Sequence, residues 1–148
     1  MIYHKKEALQ ANLDAVRTLL ALENTRRAPT ERESAVLRRY NGFGGLKCVL
    51  LPAAEPADID RWPRDERNLF PLVRELREII DQGASESDST RLWNSIKSSV
   101  LTSFYTDERI VGAIAAGLGM SGLPLRRMLD PSAGMGVFSR ALADEQTE

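Results

Sequence analysis

The residues best placed for chemistry lie near the C-terminal end: Asp130-Pro131-Ser132-Ala133-Gly134-Met135-Gly136-Val137-Phe138. Leu125-Arg126-Arg127-Met128-Leu129 before them reads as a short strand, and Val137 to Ala143 after them as the start of a helix. The glycines therefore fall in a strand-to-helix turn, where α/β folds bind nucleotides. Glycine at 134 and 136 lets the chain reverse and its backbone approach a ligand with no Cβ between them. An acidic side chain at the strand end, Asp130, can accept a hydrogen bond from a hydroxylated or cationic ligand. On its own, a two-glycine turn is more often an ordinary connection. A second group lies upstream. In Phe104-Tyr105-Thr106 the threonine is placed to cap a helix whose free N–H groups could hold an anion. The same tripeptide also reads as an aromatic pair packing a loop onto the core.

The whole string from Asp130 to Phe138 resembles the Asp/Asn-Pro-x-x-Gly-x-Gly-x-Phe motif of S-adenosylmethionine-dependent DNA adenine N6-methyltransferases. Phe104-Tyr105-Thr106 resembles the Phe-Tyr-Thr-Pro element of the same enzymes, with Asp107 where they usually have proline. Leu37-Arg38-Arg39-Tyr40-Asn41-Gly42-Phe43-Gly44-Gly45-Leu46-Lys47 is similar to the leader of the methylase and methylase-helicase proteins of phages and conjugative elements. The resemblance implies that Phe104, Tyr105, Thr106, Asp130, Pro131, Ala133, Gly134, Gly136 and Phe138 descend from a site for S-adenosylmethionine. It implies DNA as partner of the complete enzyme, in restriction-modification or on a mobile genetic element. Adenine methylation there needs a base flipped out of the helix and an Asn/Asp-Pro-Pro-aromatic tetrapeptide to hold its amine. These 148 residues contain no Pro-Pro pair. No catalytic residue is assigned, the chain alone is expected to be inactive, and its cofactor binding is expected to be weak or absent.

The acidic residue that holds a ribose in nucleotide-binding units comes about 20 positions after the glycine turn, beyond Glu148. The reading is thus of the N-terminal fragment of a methyltransferase. It is mainly α: a helical region over 1–103, then over 104–148 the first strand and glycine loop of a truncated Rossmann-like domain. The remaining catalytic domain, a protein partner or a second copy in a homo-oligomer would cover Met128, Leu129, Val137 and Phe138. The alternative is a non-catalytic helical module that binds DNA or a protein.

The elements that position these motifs follow from periodicity. Lys5 to Arg26 reads as a long amphipathic helix with Leu9, Leu13, Val16 and Leu20 on one stripe, widened by Ala8, Leu19 and Leu22. Thr30-Glu31-Arg32-Glu33 is a capping-box pattern opening a helix to about Tyr40, ended by Gly42, Gly44 and Gly45, with Phe43 covering that end. Leu46 to Trp62, broken by Pro52 and Pro56, reads as an ordered loop, being too apolar at Leu50, Leu51, Ile59 and Trp62 for a free linker. Helical periodicity returns from Asp65 to Gln82, with Pro71 in a first turn and Gly83 as its cap. Ala84 to Ser89 reads as flexible. A helix follows from about Ser89 to Ser103 with Leu92, Trp93, Ile96, Val100 and Leu101 inward, and another after Thr106 stops at Gly119.

Twenty basic and twenty-one acidic residues give a formal net charge of -1, so no global basic field advertises nucleic acid and any DNA contact is local. One cysteine, Cys48, excludes an internal disulfide, and one histidine, His4, leaves no metal-ligand set at usable spacing. Cys48 reads as a buried small hydrophobe, and the doublets Arg26-Arg27, Arg38-Arg39 and Arg126-Arg127 as solvated faces. No apolar run approaches a membrane span, and a cytoplasmic location is expected.

Overall fold

The computed structural model describes residues 4–103, 105–122, 127–131 and 133–144. The described residues are mainly helical, and the chain divides into two compact units, Met1–Phe104 and Tyr105–Glu148.

In the first unit α1 (Lys5–Thr25) packs chiefly along α3 (Phe70–Gly83), with α2 (Glu31–Leu37) against α1 and α4 (Glu86–Thr102) against α3. The predicted α1 stripe is buried at Leu9, Leu13 and Leu20, with Val16 partly so; Leu19, expected to widen it, is exposed. Asn12 sits fully buried instead. Its Nδ2 donates to the Gly42 carbonyl at 2.7 Å and its Oδ1 accepts the Asn41 N–H at 2.8 Å, so one side chain fixes the glycine turn to α1. The turn delivers Phe43 and Leu46 into the core, where Phe43 meets Tyr40 edge-on.

The capping box of α2 is complete. The Glu33 N–H reaches the Thr30 hydroxyl at 3.3 Å and the Thr30 N–H reaches the Glu33 carboxylate at 2.8 Å. The regular helix ends at Leu37, short of the glycines, because Arg39 and Tyr40 tighten into bonds with the Val36 and Leu37 carbonyls. The loop over 46–62 is ordered by two 3-10 turns, Lys47–Leu50 and Pro56–Arg61, though Leu50 itself is exposed. Trp62 closes it: the ring lies edge-on to Phe70 at 5.3 Å, and Nε1 donates to the Pro52 carbonyl at 2.7 Å.

Pro71 stands in the first turn of α3, where a missing N–H costs nothing, and Val73, Leu76 and Ile80 form the buried face. Gly83 differs from expectation. It is the last residue of α3 rather than a left-handed cap, and a Cβ there would come 2.9 Å from Leu20 Cδ1, so it serves the approach of α3 to α1. The stretch read as flexible is structured too, since Ser85 caps α4 through the Asp88 N–H at 3.3 Å. Within α4 Val100 is buried as expected, whereas Leu101 points outward, 68% exposed.

In the second unit α5 (Glu108–Met120), shifted one residue later than expected, packs on α6 (Val137–Asp144) and buries Val111 and Ala115. Of the expected strand, Leu125 and Arg126 lie outside the described residues, and Arg127, Met128 and Leu129 carry no strand pairing. Among the described residues no helix is long and apolar enough to cross a membrane.

Candidate functional site

The second unit holds all the described residues of both motifs; Phe104 lies outside them. In the glycine turn, Gly134 has φ +50° and Gly136 φ +69°, both in the left-handed region that side chains with a Cβ enter at a cost. A Cβ at Gly136 would meet nothing closer than Arg140 Nη1 at 3.8 Å, so it is backbone conformation, not space, that calls for glycine there. The Gly136 N–H donates to the Ala133 carbonyl at 2.6 Å, and the Arg140 N–H to the Gly136 carbonyl at 3.0 Å, so the turn runs directly into α6. Pro131 and Ala133 are exposed, Asp130 is half-buried at the start of the turn, and Phe138 is half-buried on α6.

Arg140, which the motif reading passes over, fastens this turn. Helical side chains lean toward the N-terminus, which returns Arg140 Nη1 to the Met135 carbonyl at 2.5 Å. Its Nη2 stands 3.6 Å from Glu108 in the first turn of α5. The glycine turn and the helix that follows the Phe104-Tyr105-Thr106 motif are thereby brought together. The signal lay in register: a cation four residues after the second glycine falls one helical turn on, over the loop.

At the start of α5 the cap is Asp107, not Thr106. Its carboxylate accepts the Arg109 N–H at 2.9 Å and also the Arg109 side chain, Nε at 2.9 Å and Nη2 at 2.7 Å. Charge explains the exchange, because an ionised carboxylate satisfies free N–H groups and the helix dipole better than a hydroxyl. These hydrogen bonds from the Arg109 side chain, then from its backbone, lower the Asp107 carboxyl to about 2. Tyr105 and Thr106 remain exposed beside it. Ile110 and Ile114 are exposed along the first half of α5, and with Arg109 and Ala113 they line a shallow apolar hollow.

The arrangement offers an adaptable backbone turn, an acidic side chain at its start, and a helix N-terminus whose anion position is taken by the chain's own carboxylate. Comparison with protein-family models, with curated proteins and with solved structures gives no match.

Proposed function

We propose that the second unit is the S-adenosylmethionine-facing start of a Rossmann-like domain, and that it serves methyl transfer to the N6 amine of adenine in DNA. The observation that carries this reading is the pair of left-handed glycines, Gly134 and Gly136, inside the Asp130–Phe138 string and immediately before α6. Such a turn lets its backbone be approached with no Cβ in the way, which suits the close approach of a nucleoside. Asp130 at its start suits a hydrogen bond from a hydroxyl of the cofactor.

The residues fit the cofactor unevenly. The turn suits the nucleoside half. The methionine carboxylate would be held at the N-terminus of α5, where Asp107 already fills the anion position. That competition makes binding by these residues weak. S-adenosylmethionine supplies an electrophilic methyl group when bound; the residues here orient it, and none is given a part in moving the amine proton. The amine-holding tetrapeptide is to be supplied by a further segment or a partner.

Amide NMR titration tests the reading. S-adenosylmethionine should shift the amides of Gly134, Met135, Gly136 and the first turn of α5, and leave the first unit unmoved. Shifts confined to the first unit would refute it.

A further inference from the structure

Positive charge is concentrated in one segment of the first unit. Between Arg26 and Lys47 stand six cations and two carboxylates, Glu31 and Glu33, an excess of four in a chain of net charge -1. One carboxylate is already spent. Glu33 closes the capping box and takes a bidentate pair from Arg27 at 2.8 and 2.5 Å. Arg26, Arg32, Arg38, Arg39 and Lys47 are exposed and take part in no ion pair among the described residues; the other paired carboxylates of the unit lie elsewhere, at Asp14, Asp58, Glu66, Glu75, Glu78, Asp81 and Asp88.

The local fold presents these charges outward. α2 buries none of its residues. Arg38 keeps helical dihedrals past the end of α2 and the Arg39 N–H still bonds to the Val36 carbonyl, so the turn continues through both arginines. Arg32 and Arg39, seven residues apart, therefore share a face about 10 Å long, with the small side chain of Ala35 exposed between them. Asn12 anchors the following turn at Asn41 and Gly42, which fixes where Arg38 and Arg39 are displayed.

We infer that α2 and its C-terminal turn are a contact surface for the phosphate backbone of duplex DNA, held by Arg32, Arg38 and Arg39. Guanidinium groups pair with phosphate oxygens through two N–H groups, and such contacts position a protein on DNA without reading sequence. The choice of DNA as the polyanion rests on the methyltransferase reading; the surface itself stands on charge and exposure.

The test is fluorescence anisotropy of a labelled duplex oligonucleotide with the full chain across a salt series. Replacing all three arginines (Arg32→Gln, Arg38→Gln, Arg39→Gln) should weaken binding at least about tenfold and reduce the slope of log affinity against log salt by about three. An Arg61→Gln, Arg91→Gln chain, altered at exposed arginines outside the surface, should bind like wild type. Equal affinity of the triple variant overturns the inference, as does failure of the wild-type chain to bind duplex. Tighter binding to anionic phospholipid vesicles or to single-stranded RNA than to duplex overturns it too. The triple variant should keep its glycine-turn shifts with S-adenosylmethionine. Loss of those shifts in the wild type, with duplex binding intact, sinks the cofactor reading and leaves this surface standing.

Discussion

Arg140 on α6 stands 3.6 Å from Glu108 on α5 while donating to the Met135 carbonyl of the glycine turn at 2.5 Å. One side chain thus ties a backbone turn to the first turn of a neighbouring helix. Both charged groups are well exposed, so the pair contributes under about 1 kcal/mol. Arg140→Gln should accordingly leave the unfolding midpoint nearly unchanged and speed hydrogen exchange of the Gly136 amide by up to about fivefold. Unaltered exchange would show that Arg140 does not hold the turn.

Asp107 makes a second prediction. Asn in its place keeps a capping oxygen and removes the negative charge from the anion position. Affinity for S-adenosylmethionine in Asp107→Asn should rise about two- to fivefold, read from the titration of the glycine-turn amides. A fall would mean that Asp107 belongs to the ligand site.

The pH dependence of the same residue has a definite sign. A carboxyl lowered to about 2 in the folded chain stays ionised far below the usual carboxylate range. Its support of α5 is complete above about 4, where the unfolded group is ionised, and is lost as pH falls through about 2. The carboxyl-carbon NMR shift of Asp107 should follow that titration.

Asn12 is the polar linchpin of the first unit's core. Asn12→Leu removes both partners of the glycine turn and leaves the Gly42 carbonyl and the Asn41 N–H without them. The cost should be about 2–4 kcal/mol in urea unfolding. A loss under about 0.5 kcal/mol, the size of an ordinary surface change, would show that water replaces the amide.

Cys48 should be inert. Burial, assisted by the Glu66 charge, pushes its thiol from 9.0 up to about 11. Thiol reagents at neutral pH should label it only as fast as the chain unfolds. Because its folded value is the raised one, its stabilising share is whole below 9.0 and is lost as pH rises through about 11. Rapid labelling without unfolding would contradict the burial.

What could be read from sequence was what depends on near neighbours. The α1 stripe at Leu9, Leu13 and Leu20, the Thr30–Glu33 capping box and the place of Pro71 all follow from spacing within a few residues. Asn12 was invisible because its partners are 29 and 30 residues away. Gly83 was misassigned for the same reason: a helix-end glycine looks like a left-handed cap unless Leu20 is known to face it. Ser85 to Ser89 has the composition of a loop, yet a serine followed three residues later by Asp88 is also a cap. At the candidate site, glycine at 134 and 136 announced a turn. Asp107 takes the cap from Thr106 by its charge, and the Arg109 side chain doubles that contact in a way no spacing rule required.

The central claim is that the glycine turn faces S-adenosylmethionine, and its most direct test is the amide titration carried out on the wild-type chain and on Gly134→Val. Valine at a residue with φ +50° strains the turn and puts a branched side chain where the cofactor would approach. Saturable shifts at Met135, Gly136 and Arg109 in the wild type, absent from the variant, are the predicted result. A Gly134→Val chain that titrates like wild type, or a wild-type chain whose turn amides do not respond, would contradict it.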